Sequence, residues 1–307
     1  MGSWLRILKR SGNRHNCLKC GVVPCTNLYR EVDSNESGEL YLYESTVKNK
    51  VHLPCEFGVL IQCLCKLLVK ISDELSFEMY NQCIRDLKAV LLLVFTGHYR
   101  NAMQIFRPVI ENFLTGLYWD AKLLQSGDDE KARQTVKEEY NKFTKQDRYV
   151  VPEEDRNEAF ISDDKRKKEY LDQDFLLAWL LAKKVIDPTY KADLQKKIRK
   201  LNNFLHPNFK ATDISRPDCA SCPSCVSFNE KEYRKCIEIF QDITTLILAT
   251  CHKLIVESSP GDLDDPDVKE ALGNIRGLHE LEAEIERQLV LSSRLKEFIA
   301  SLANDRL

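Results

Sequence analysis

Apolar side chains recur three and four positions apart over most of the chain, the spacing that gathers them on one face of an α-helix. Residues 56–75 and 76–96 each carry such a row. The strongest row spans 98–124, where Ala102, Ile105, Phe106, Val109, Ile110, Phe113 and Leu117 form one broad apolar face. Residues 128–145 predict a thinner, highly charged and exposed helix, and 149–162, with Pro152 and several acids, predict a loop. A further helix is expected over 163–186, apolar in its second half at Phe175, Leu176, Trp179 and Leu180. Pro188 suits the first turn of the next helix, over 190–205. Pro207 ends it, because proline lacks the donor that would continue the ladder. Residues 229–256 predict a long helix, and Ser258-Ser-Pro-Gly-Asp262 a linker.

The flanks differ from this helical body. Residues 12–52 hold Gly12, Gly21, Gly38 and Pro24 together with three cysteines. Glu39-Leu-Tyr-Leu-Tyr-Glu44 alternates in the manner of a strand after the turn-forming Asn35-Glu-Ser-Gly38. A small irregular or hairpin module is expected there. In the tail, Leu281, Ile285, Leu295, Ile299 and Leu302 form a heptad-like row that Gln288 and Ser292 interrupt. Such a row serves equally a helix packed on the body and one that reaches a partner. The expected fold class is all-α, divided as 1–54, 55–257 and 258–307.

Composition narrows the functions. Lys and Arg total 45 against 47 Asp and Glu, so no global basic excess points to non-specific nucleic-acid binding. Eleven glycines and ten prolines are few for a sandwich or barrel. No G-x-G-x-x-G, Walker-type or G-x-S-x-G motif occurs. Met1-Gly-Ser-Trp-Leu-Arg6 lacks the apolar stretch of a signal peptide, and Arg6 breaks the myristoylation pattern. The longest strongly apolar run, 89–95, is too short to span a bilayer. A cytoplasmic chain without membrane contact is expected.

Twelve cysteines then call for an explanation other than disulfides. Cys17-Leu-Lys-Cys20-Gly21 and Cys219-Ala-Ser-Cys222-Pro-Ser-Cys225 are two knuckles. The C-x-x-C spacing presents two thiolates to one ion from a single tight turn, and two knuckles complete a tetrahedral site. Cys17, Cys20, Cys222 and Cys225 are therefore the expected ligands of one structural zinc, with Cys25 and Cys219 as substitutes; an iron–sulfur cluster would use the same ligands. Four thiolates leave no open position for catalysis. Cys55, Cys63, Cys65, Cys83, Cys236 and Cys251 fall on helices and are expected to act as small apolar residues.

Arg199-Lys-Leu-Asn-Asn-Phe-Leu-His206 carries the catalytic candidates. Seven steps of ~100° fall about 20° short of two turns, so Arg199 and His206 share a helix face. Histidine moves protons near neutral pH, and arginine holds a phosphate and the charge developing on it. No metal is needed when an RNA 2′-hydroxyl is the nucleophile. The plainer reading is that His206 only caps the helix end before Pro207.

The segment resembles the R-x(4–6)-H motif of HEPN domains, helical bundles found in many prokaryotic RNases and defence toxins. The helix through Arg107-Pro-Val-Ile-Glu111 likewise resembles the Arg-x-x-x-Glu helix of HEPN-like proteins. The resemblance covers roughly residues 55–257. It implies a metal-independent endoribonuclease with Arg199 on phosphate, His206 catalytic, and a homodimer in which two such pairs line one cleft. Lys200 departs from the pattern, since active members commonly carry Asn, Asp or His after the motif arginine; Asn202 and Asn203 could supply polar contacts instead. Arg107 and Glu111 also suit an internal i,i+4 ion pair. The acidic groups Asp128-Asp-Glu130, Glu153-Glu-Asp155 and Asp163-Asp164 fit capping and solvation, and Lys165-Arg-Lys-Lys168 a solvated or RNA-facing run. The alternative function is a non-catalytic, zinc-stabilised scaffold or regulatory subunit that docks a protein partner through residues 264–304.

Overall fold

The apolar rows at 56–75, 76–96, 98–124 and 229–256 fold as helices whose apolar faces meet in one core. The computed structural model describes residues 53–95, 97–145, 149–159, 171–205, 230–284 and 291–304. Their helices are α1 (Leu53–Ile71), α2 (Phe77–Phe95), α3 (Tyr99–Gln125), α4 (Glu130–Lys145), α5 (Glu153–Glu158), α6 (Gln173–Ala182), α7 (Pro188–Leu205), α8 (Glu230–Ser258), α9 (Pro266–Glu284) and α10 (Ser293–Asn304). A 3₁₀ turn, Pro260–Asp264, joins α8 to α9. No strand occurs among the described residues, so the all-α expectation holds for them. The 12–52 module, including the Glu39–Glu44 alternation, lies outside the described residues.

α2 and α3 form an antiparallel hairpin. The turn works because Gly97 takes a positive φ of 79°, a conformation that costs glycine nothing. Its N–H bonds the Val94 carbonyl, and the His98 N–H bonds that of Leu93, closing a Schellman-type helix end. At the far end of the hairpin the Tyr80 hydroxyl donates to Asp120 Oδ2 at 2.6 Å. α1 and α8 pack on this hairpin, where Phe240 meets Phe57 edge-on with ring centroids 5.0 Å apart and Phe106 at 6.5 Å.

The described part of the tail packs on the body. Leu295, Ile299 and Leu302 are buried within the chain. α9 docks along α1, where Lys66 pairs with Asp267 and Glu270 and Lys70 with Asp265. Ser292 N–H donates to Gln241 Oε1 at 2.7 Å, fixing the start of α10 on α8. The stretch Lys231–Glu257 of α8 is long and apolar enough to cross a membrane, but 67% of that apolar window is buried inside the fold.

Three boundaries differ from the sequence reading. Residues 149–162 contain a helical turn, α5, with Pro152 at its N-cap and acids in its first turn, where they complement the helix dipole. The helix expected from 163 begins among the described residues only at Gln173, since Asp172 is extended (φ −99°, ψ 171°) and caps it by accepting the Phe175 N–H at 2.8 Å. The expected linker is helical at both ends, with Ser258 closing α8 and Pro260 opening the 3₁₀ turn. In turn, Asp129 caps α4 by accepting the Lys131 and Ala132 N–H groups, as the capping expectation had it. The buried residues Cys63, Cys83, Cys236 and Cys251 act as small apolar side chains; Cys65 is exposed and does not.

Candidate functional site

α7 supplies the site's organising face. Gln195, Ile198, Arg199 and Asn202 lie three and four residues apart and all line one cavity of about 660 Å³. Leu194, Ile198 and Leu201 are buried, anchoring the helix, while Arg199 itself is exposed. Among the described residues Arg199 has no hydrogen-bond or ion-pair partner. His206, at the expected next position along that face, lies outside the described residues.

The facing wall comes from α3. Arg107 Nε donates to Glu111 Oε1 at 2.7 Å, the internal i,i+4 pair expected from the spacing. The same guanidinium reaches across to α7, where Nη1 donates to Asn202 Oδ1 at 3.1 Å, a contact 95 residues apart in sequence. Gln173, the first residue of α6, donates its amide to the same Glu111 oxygen. Thus Arg107, Glu111, Gln173 and Asn202 knit α3, α6 and α7 together at the cavity, and Arg199 stands beside them on its wall. The two motif helices singled out in the sequence border one space.

Phe143 of α4 and Leu171, Leu176 and Leu177 around α6 give the cavity an apolar side. Asp172 and Asp174 add carboxylates at its rim. Gln173, Gln195 and Phe143 went unrecognised in the sequence. Gln195 was within reach, because the helical arithmetic that relates Arg199 to His206 places Gln195 one turn before Arg199. No local signal marks Gln173 or Phe143, whose positions depend on the packing of α4 and α6.

A buried charge cluster lies outside the cavity lining. Lys122 Nζ lies 2.6 Å from both Asp155 Oδ2 and Glu139 Oε2. Asp155 also accepts from Tyr118 Oη at 2.8 Å and from Trp179 Nε1 at 3.1 Å. Burial works against the charge on Lys122, yet its hydrogen bonds to the two carboxylates hold its pKa above the ordinary lysine value. Burial pushes the Tyr118 hydroxyl up as well, reinforced by Asp155. Asp155 therefore corrects the solvated-acid expectation: it is a buried hub that ties α5 to α3 and α6, while Lys122 extends the cluster to Glu139 of α4. Its three polar partnerships, with Lys122, Tyr118 and Trp179, fit a structural clasp, and it does not line the cavity.

A second, half-buried acid, Asp120, is pushed up to about 7 by its desolvation, against the opposing hydrogen bonds of Ser76 and Tyr80. Burial likewise pushes the Cys63 thiol up to about 12, and those of Cys83, Cys236 and Cys251 also upward. These thiols are protonated and inert at neutral pH. Among the described residues, no group of three or more His, Cys, Asp and Glu side chains is placed to hold a metal ion. The expected zinc ligands Cys17, Cys20, Cys222 and Cys225, their substitutes Cys25 and Cys219, and the segments 163–164 and 165–168 lie outside the described residues. No family model, no curated protein and no solved structure matches this chain.

Proposed function

We propose that the chain is a metal-independent endoribonuclease of HEPN type. One observation carries the reading: the Arg-x-x-x-Glu helix and the Arg-to-His helix border a single cavity, joined directly by Arg107 and Asn202. In this reading Arg199 binds the scissile phosphate and stabilises the charge that builds on it. His206 moves the proton as the neighbouring 2′-hydroxyl attacks phosphorus and the 5′-oxygen leaves. The products carry a 2′,3′-cyclic phosphate on one fragment and a 5′-hydroxyl on the other. Arg107 is held by Glu111 and Asn202, so its role is to set α7 against α3 rather than to meet substrate.

The wider setting rests on the sequence. A homodimer brings two Arg–His pairs to one cleft, a cysteine-bound structural zinc secures the N-terminal module to the segment after Pro207, and the activity belongs to a cytoplasmic defence or toxin system. Light scattering at micromolar concentration is expected to give twice the 35.6 kDa chain mass; a monomer contradicts the paired site.

The activity is tested with purified full chain and end-labelled single-stranded RNA in EDTA. Cleavage leaving cyclic phosphate ends is expected. Absence of cleavage of any RNA returns the chain to the scaffold reading, in which the same polar junction only fastens helices and the tail serves a protein partner.

A further inference from the structure

The cavity is more selective than a phosphate-binding surface. Its ionised groups are two arginines, Arg107 and Arg199, against three carboxylates, Glu111, Asp172 and Asp174. Arg107 is neutralised by Glu111 at 2.7 Å, and Asp172 is turned to the Phe175 N–H. Arg199 is left as the one cation of the lining without a partner among the described residues. Such a charge pattern repels a track of phosphates but accepts a single one at Arg199. A duplex, which presents phosphates in rows, is disfavoured there.

Beside that cation the lining turns apolar, through Phe143, Leu171, Leu176, Leu177 and Ile198. Phe143 is held in place by Trp119, with ring centroids 5.5 Å apart, and by Tyr149 at 5.7 Å. Neutral amides from Gln173, Gln195 and Asn202 stand among these groups. A planar, uncharged, hydrogen-bonding ring joined to one phosphate satisfies all three features. The volume of about 660 Å³ lies within the range of pockets that enclose a small ligand.

We propose that this cavity seats one unpaired nucleotide, with the base against Phe143 and its apolar neighbours, the base edge toward the α7 amides, and the phosphate on Arg199. This deepens the endoribonuclease reading and rests on it for the biological ligand, single-stranded RNA, whose splayed bases proteins bind by stacking. The seat would fix which phosphodiester lies at the reacting groups.

The test is calorimetric titration of the full chain with adenosine 3′-monophosphate, ribose 5-phosphate and inorganic phosphate. The nucleotide is expected to bind about 5- to 150-fold more tightly than ribose phosphate, the worth of one stacked base. Phe143→Ala should erase that difference. Because Phe143 also packs in an aromatic cluster, Gln195→Ala, on a partly exposed helix face, serves as the second variant and should weaken the nucleotide without touching phosphate. Arg199→Ala should make adenosine and its monophosphate bind alike. Equal binding of nucleotide and ribose phosphate, or nucleotide binding that both Gln195→Ala and Arg199→Ala leave unchanged, overturns the seat. So does an absence of nucleotide binding at millimolar concentration. The two readings separate cleanly: RNA cleaved at Arg199 without base-dependent binding defeats the seat alone, and base-dependent binding without cleavage defeats the nuclease alone.

Discussion

Replacing Lys122 by Met would strand the buried Asp155 and the half-buried Glu139 without their shared cation. The Lys122 and Asp155 side chains are 9% and 6% exposed, and Glu139 is 15% exposed. At an effective dielectric of ~20, unit charges 2.6 Å apart attract by roughly 6 kcal/mol, of which desolvation cancels several. What remains when one partner is removed is an uncompensated buried charge, worth about 3–5 kcal/mol. With ~2.1 cal/mol/K of unfolding entropy per residue over 307 residues, each kcal/mol moves melting by roughly 1.5 °C, so melting should fall by about 5–8 °C. Asp155→Asn should cost a similar amount, because the Tyr118 hydroxyl and Trp179 ring N–H lose an ionised acceptor along with Lys122. The double variant should cost about 1–3 kcal/mol less than the sum, since both changes break the same contact. Urea unfolding followed by circular dichroism measures all three. A loss under ~1 kcal/mol for Lys122→Met, or strict additivity, would refute the clasp.

Other consequences follow from single contacts. A Cβ at Gly116 would collide with the buried Tyr80 ring, 2.9 Å from its Cζ, and Tyr80 cannot swing away without losing Asp120. Gly116→Ala should therefore destabilise by roughly 1–3 kcal/mol in a chemical melt, despite the gain in helix propensity. Asp120 holds its proton in the folded chain up to about pH 7. The unfolded chain releases it near pH 4, so the native state binds the extra proton between those values. Its stability should fall as pH rises from 4 to 7, by on the order of 4 kcal/mol, and then level off. Asp120→Asn should flatten that slope; an unchanged slope in denaturant titrations across this range would assign it elsewhere. Elemental analysis should find about one zinc per chain, and Cys17→Ser should lower both zinc content and melting temperature. Protein without zinc or iron would end the cysteine-knuckle proposal.

The helices were legible because their signal is local. Ala102, Phe106, Val109 and Phe113 recur at helical spacing, and all are buried on α3. The Arg107–Glu111 pair was legible for the same reason, four residues being one turn. The meeting of Arg107 with Asn202 was not, since nothing local sets how α7 crosses α3. Asp155 shows the same limit from the other side. In sequence it sits in an acidic, proline-led stretch that looks solvated, and only the arrival of Lys122 from α3 and Trp179 from α6 makes it a buried hub. The extended start of α6 escaped notice because Asp172 acts as its cap within a segment where charged helix formers precede it.

In the proposed nuclease Arg199, on the cavity face of α7, does chemistry its neighbours do not. The direct measurement compares RNA cleavage rates of the wild-type chain, Arg199→Ala and Lys200→Ala under identical conditions in EDTA. Lys200 is exposed and does not line the cavity. Both changes lie on the helix surface and should leave melting nearly unaltered, within about 0.5 kcal/mol. A loss on the order of 10²–10³-fold is expected for Arg199→Ala and near wild-type cleavage for Lys200→Ala. Equal rates for the two variants, or cleavage by Arg199→Ala as fast as wild type, would contradict that role.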